Sequence, residues 1–200
     1  MNQTRTKQIF LNNTQLSAIT IGQRIPKDYF ITTGVGESDI TVHAGSYHLA
    51  LKDAGIENCN IMVYSSILPG VATEVEHPRQ FVHGAVMETI MATATSQKGD
   101  KATAGIIFGW LYNKETNERF GGLVCEYNGN ISEEEASASL NLSLQELYNN
   151  GYSEKYELRD LQLITRSFVV EKKFGTAIVA ICFKNHIIPI EQQGFLQINQ

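Results

Sequence analysis

Two adjacent hydroxyls, Ser65 and Ser66, follow the apolar run Asn60-Ile-Met-Val-Tyr64, and Pro69 stands three residues beyond Ser66. That layout suits a backbone that cuts itself. When the peptide between the serines is strained, the Ser66 hydroxyl attacks the Ser65 carbonyl and turns the amide into an ester. Elimination across the ester, then hydrolysis, leaves a pyruvoyl group where Ser66 stood. Such a group is a built-in electrophile, able to form a Schiff base with an amine and to act as an electron sink. Taken alone, the dipeptide fits a plain strand end, so the surroundings have to carry the chemistry.

A second reactive group sits in Gly121-Gly-Leu-Val-Cys-Glu-Tyr127, where Glu126 places a carboxyl in a strongly apolar segment. Such a carboxyl is costly to bury unless it has a purpose; the plain alternative is a strand-end carboxylate facing water. Asn60 lies in the run leading to the serines, where an amide side chain commonly closes a turn or satisfies a backbone group. The histidines show no metal-ligand spacing and no cluster with Asp or Glu. Gly34-Val-Gly36 is too short and wrongly placed for a dinucleotide loop.

These groups need elements to hold them. A β-rich run from Tyr29 to Thr33 meets a glycine-bearing loop, residues 34–39, and a short helix over 46–54 follows, with Ser46 as N-cap and Gly55 as its stop. Strands are expected over 58–66, 83–95, 102–112, 120–127, 157–170 and 176–183. Ser132-Glu-Glu-Glu135 is a capping box opening a helix with Ala136, Leu140, Leu144 and Leu147 on one face, ending before Gly151. Strands and helices do not alternate regularly, which points to an α+β layered fold with sheets inside and helices outside. Three parts are expected: an N-terminal arm (1–28), a folded domain (29–186) and a C-terminal tail (187–200).

The 200 residues, 42% hydrophobic and 18% charged, suit one ordinary soluble domain. A net charge of −5 argues against nucleic acid or an anionic membrane as the main partner. Cys59, Cys125 and Cys182 are odd in number and embedded in apolar runs, so they read as reduced core thiols. With no apolar stretch long enough to span a bilayer and no secretion-signal layout at the N-terminus, a cytoplasmic protein is expected.

Ile31-Thr-Thr-Gly-Val-Gly-Glu-Ser-Asp39, Ile56-Glu-Asn-Cys-Asn60, Tyr64-Ser-Ser-Ile-Leu-Pro69, His83-Gly-Ala-Val86, Gly121 to Tyr127 and Lys172-Lys-Phe-Gly-Thr176 occur in order. As a set they resemble the pyruvoyl-dependent arginine decarboxylases, especially their bacterial branch. The resemblance implies a four-layer αββα sandwich and self-cleavage between Ser65 and Ser66. The products would be a β chain, 1–65, and an α chain, 66–200, headed by a covalent pyruvoyl cofactor, with no pyridoxal phosphate and no metal. It implies a small amino-acid substrate, L-arginine, converted to agmatine and carbon dioxide. It further implies a homotrimer of αβ units, or a dimer of trimers, with active sites between subunits. Glu126 would return a proton to the substrate carbon, so that Glu126→Gln spares the cut and loses turnover. Asn60 would position the serines or the substrate.

One position departs from the family. The slot that holds a guanidinium-pairing aspartate in the resembled enzymes is His48 here, within Gly45-Ser-Tyr-His-Leu-Ala-Leu51. Imidazole offers no bidentate anion. Glu37 or Asp39 is then the expected substitute, or else the same chemistry serves a different amino acid. The non-enzyme alternative is a processing-dead trimer subunit.

Overall fold

The computed structural model describes residues 23–189, together with the backbone of strands β1 (Lys7–Leu11) and β2 (Thr14–Ala18), which pair antiparallel. Residues 26–185 form one compact unit; residues 1–25 and 186–200 form another. Most of the expected arm, and the tail beyond residue 189, lie outside the described residues. Strands β3 (Ile25–Pro26) and β13 (His186–Ile187) are two residues each.

Between them run β4 (Asp28–Ser38), a π-helical turn (Val42–Tyr47), α1 (His48–Asp53), β5 (Asn60–Val63), β6 (Ile67–Pro69), β7 (Thr73–Glu74) and β8 (Val86–Gln97). Then come β9 (Lys101–Asn113), β10 (Arg119–Gly129), α2 (Glu133–Gly151), β11 (Tyr156–Val169) and β12 (Phe174–Phe183). A four-stranded sheet has the order β11-β9-β10-β6, and a five-stranded sheet the order β5-β8-β12-β4-β7. The long strands pair antiparallel, while the short β5 and β7 join β8 and β4 in parallel. The protein is thus a sheet-rich α+β fold.

Strand alternation explains where the apolar side chains go. One set, including Ile106, Phe108 and Trp110 of β9 with Ile90 of β8 and Val179 and Ile181 of β12, packs in a core shared by the two sheets. The opposite face of β12, with Ile178 and Ala180, packs against Ala50, Leu51 and Ala54 at α1. Ile107 and Leu111 of β9 meet Leu140 and Leu144 of α2. Each such leucine, removed from water, contributes about 2 kcal/mol. The Ser132 hydroxyl accepts from Glu135 N–H while the Glu135 carboxylate accepts from Ser132 N–H, so the capping box is present.

Several local expectations are corrected. Gly34 and Gly36 lie inside β4, not in a loop. A Cβ on Gly36 would stand 2.2 Å from the Ser46 carbonyl oxygen, so glycine is what lets the π-turn settle onto the sheet. Ser46 is no N-cap: it is buried, its hydroxyl 2.9 Å from Thr176 Oγ1, and the turn around it closes with Ser46 N–H donating to Thr41 O, five residues back. The longer turn changes the phase of everything after it by about 100° per extra residue. Gly55, at φ 72°, ends α1 as expected, whereas Gly151 is the last residue of α2 and Tyr152 caps it.

Candidate active site

The expected strand over 58–66 is shorter, and the serine pair lies between two strands, because the chain changes sheets at the pair. β5 ends at Val63 in the five-stranded sheet, and β6 begins at Ile67 in the four-stranded one, on the edge of β10. Tyr64 N–H donates to Thr89 O at 2.7 Å and holds the near bank. Ile67 N–H donates to Ser65 O at 2.9 Å, closing a three-residue turn centred on Ser66, and Val124 N–H donates to Ser66 O at 3.1 Å. A donor thus already sits on the carbonyl that Ser66 would attack, where negative charge develops during attack.

Strand β10 pairs with β6 only over Gly121–Leu123 and runs on past it, carrying Glu126. The Ser66 hydroxyl reaches both Glu126 oxygens, at 2.8 Å and 3.0 Å. Both groups are half-buried at a surface cavity of about 520 Å3 walled also by Ile67, Cys125 and, from α2, Ser143 and Leu147. Burial raises the Glu126 pKa above the ordinary carboxylate range, and the Ser66 hydroxyl, stabilising the anion, offsets part of that rise. Burial, with help from the neighbouring Glu126 charge, pushes the Cys125 thiol up to about 11, so it stays protonated and inert.

The other sequence-derived candidates lie elsewhere. Exposed Asn60 donates from Nδ2 to Gly84 O at 2.9 Å, tying the start of β5 to the turn at Gly84. Nearby His83 Nδ1 lies 3.3 Å from Asn58 Oδ1. Glu37 Oε1 accepts from Glu171 N–H at 2.6 Å and Lys172 N–H at 3.1 Å, and Asp39 Oδ1 accepts from Lys173 N–H at 3.2 Å. Both carboxylates therefore hold the β11–β12 turn. Glu37 also lines a second cavity of about 630 Å3, with Leu49, Lys52 and Asp53 from α1. His48 is exposed at the start of α1. Sequence reasoning missed the Ile67 amide and the α2 wall, Ser143 and Leu147. A backbone donor leaves no residue-type signal, and Ser143 reads from sequence as an ordinary polar face.

A serine hydroxyl held on a carboxylate at a break between two sheets is a site built for nucleophilic chemistry; similarity to known proteins narrows the class. Residues 28–187 match the family model for pyruvoyl-dependent arginine decarboxylase. Pyruvoyl-dependent arginine decarboxylase AaxB of Chlamydia trachomatis serovar L2 is 35% identical over 185 residues, covering 82% of this chain and 93% of its own. The enzyme of the same name from Chlamydia pneumoniae is 33% identical over the same shares. Pyruvoyl-dependent arginine decarboxylase of Methanopyrus kandleri is 38% identical over 73 residues, or 36% of this chain and 47% of its own. The chain belongs to the pyruvoyl-dependent arginine decarboxylase family.

Proposed function

We propose that the chain cuts itself between Ser65 and Ser66 and then decarboxylates L-arginine to agmatine and carbon dioxide, using a pyruvoyl group made from Ser66. The observation that carries this is the Ser66 hydroxyl on the Glu126 carboxylate, beside a Ser65 carbonyl already held by Ile67 N–H. Glu126 accepts the Ser66 proton as Oγ bonds to the Ser65 carbonyl carbon, and Ile67 N–H stabilises the oxyanion. The C–N bond then breaks, leaving an ester. Loss of the Ser66 α-proton expels the Ser65 carboxylate; water enters the remaining residue and ammonia leaves. No oxidant or metal is needed.

The residues present fit the group. Ser66 opens on a cavity, and the short β6 holds the new chain start against β10. The group supplies an electrophilic carbonyl that condenses with an amine and draws electrons as carbon dioxide departs. Glu126 changes role with the cut. While Ser66 keeps its hydroxyl, that donor favours the carboxylate; once the hydroxyl is consumed, burial is opposed only by the weaker backbone hydrogen bond at Glu126, and the carboxyl holds its proton more tightly. The same side chain is a base first and an acid afterwards, poised to protonate the substrate carbon. That gives it a part in both reactions, beyond the acid step alone.

The three apolar cores, between the sheets and under each helix, support a four-layer αββα arrangement. Two unlike exposed apolar edges support a ring. β5, at one end of its sheet, presents Met62 and Val63, and β11, at one end of the other, presents Leu161 and Leu163. Joining unlike edges head to tail closes a cyclic oligomer, here a trimer or a pair of trimers. In it a neighbouring copy brings its Glu37 cavity towards Ser66, making Glu37 the carboxylate for the guanidinium in place of His48. No helix among the described residues is long and apolar enough to cross a membrane, and a cytoplasmic site suits the reduced cysteines. Intact-mass measurement tests the cut. Two chains meeting at 65/66, the larger with a pyruvoyl start, support it; one full-length mass in an active sample overturns it.

A further inference from the structure

Cutting at 65/66 turns Ser66 from a mid-chain residue into a chain end, and something must keep that end in place. Strand β6 is three residues long and pairs only with Gly121–Leu123. Beyond it, Arg119 donates from Nε to Gly70 O and from a terminal nitrogen to Ala72 O, both at 2.8 Å. Its guanidinium lies over the ring of Trp110, 4.2 Å from the centroid. This clamp is built by several features at once. The register of β10 against β9 shifts between Arg119 and Gly121, a bulge that re-aims the first side chain of the strand. A Cβ on Gly70 would stand 2.6 Å from Phe120 O, so glycine permits the turn to press against that bulge. Leu68, between the clamp and Ser66, is fully buried.

We infer that Arg119 is a positioning residue that holds the start of the α chain, and with it the electrophile made from Ser66, in the active-site cavity after the cut. This rests on the self-cleavage reading above. Before the cut, Ser66 is restrained from both sides, through Tyr64 and β5 and through β6. Afterwards the Tyr64 side no longer restrains it, and the hold nearest Ser66 falls to three β6 residues, Val124 N–H and the Arg119 clamp, with β7 on β4 as the next anchor along the chain. The requirement for Arg119 is therefore specific to the processed protein. A guanidinium is suited to it because one planar group donates to two carbonyls and stacks on an indole.

The test compares hydrogen exchange over residues 66–74 in four full-length proteins: wild type, Arg119→Met, Ser66→Ala, and the double variant. Arg119→Met should still be cut, exchange this segment at least tenfold faster than wild type, and lose about tenfold in kcat with KM nearly unchanged. In the uncut Ser66→Ala background, the same change should leave exchange within about twofold. Arg119→Lys, which keeps one donor and the charge, should restore part of kcat. Trp110 is the only tryptophan, so its emission gives an independent signature, shifting on cleavage in Arg119→Met and not in wild type. Equal loosening in cut and uncut backgrounds would overturn the clamp and leave self-cleavage standing. A wild-type chain that stays whole would overturn both.

Discussion

At the scale of single residues, the site turns on one hydroxyl and one carboxylate. In the proposed chemistry Ser66→Ala removes the nucleophile and the precursor of the electrophile, so neither cut nor turnover should survive; denaturing gels and carbon dioxide release report both. Glu126→Gln removes the carboxylate 2.8 Å from Ser66 Oγ, and with it the proposed proton acceptor and later acid. Processing should slow by about a hundredfold and turnover fall at least as far; cutting at the wild-type rate would confine Glu126 to the second reaction. The raised Glu126 pKa also sets a pH dependence. With Glu126 as the proposed acid, turnover needs the protonated carboxyl, so kcat should rise as pH falls towards that pKa and decline above it. Stability has the same sign. A carboxyl whose folded pKa exceeds its unfolded one binds more protons when folded, so stability is lost as pH rises from the unfolded value through the folded one.

At the scale of elements, two glycines on helices or under them should respond in opposite ways. A Cβ on Gly36 would meet the Ser46 carbonyl oxygen at 2.2 Å and Ala50 N at 2.4 Å, both backbone atoms that retreat only if α1 lifts off β4. Gly36→Ala should cost about 3 kcal/mol, seen as a lower urea midpoint at unchanged slope. At Gly151 nothing lies within 4 Å of an added Cβ and the backbone is already helical. Gly151→Ala should therefore be neutral or gain up to about 1 kcal/mol. Glycine spacing read from sequence as Gly-Val-Gly looks like a loop; only its place under the π-turn shows it to be a packing surface.

At the scale of the whole molecule, the proposed active unit is a ring of several copies. If the β5 and β11 edges meet head to tail, Val63→Asp should dissociate the ring, measurable by sedimentation. The same change should reduce turnover more than the cut, because Ser66, Ile67 N–H and Glu126 all belong to one chain. Unimpaired turnover by a monomer would show that no neighbouring copy is needed. Glu37→Gln, which keeps the side chain's size and removes its negative charge, should raise KM for arginine and leave the cut unaffected.

The sequence by itself determined the family and most of the elements. Ser65-Ser66, the isolated carboxyl Glu126, the capping box at Ser132 and the strands around them are local signals, set by residue type and short-range periodicity. It was the tertiary structure that placed the serine pair at a crossover between sheets, where the strand was expected to run on through both serines. Hydrophobic alternation cannot register a change of partner strand, because both sheets bury apolar residues alike. The Ser66–Glu126 contact spans 60 residues of sequence, and Arg119 reaches Gly70 across 49. Such meetings depend on strand register and on a bulge, which are properties of paired strands and not of either strand alone.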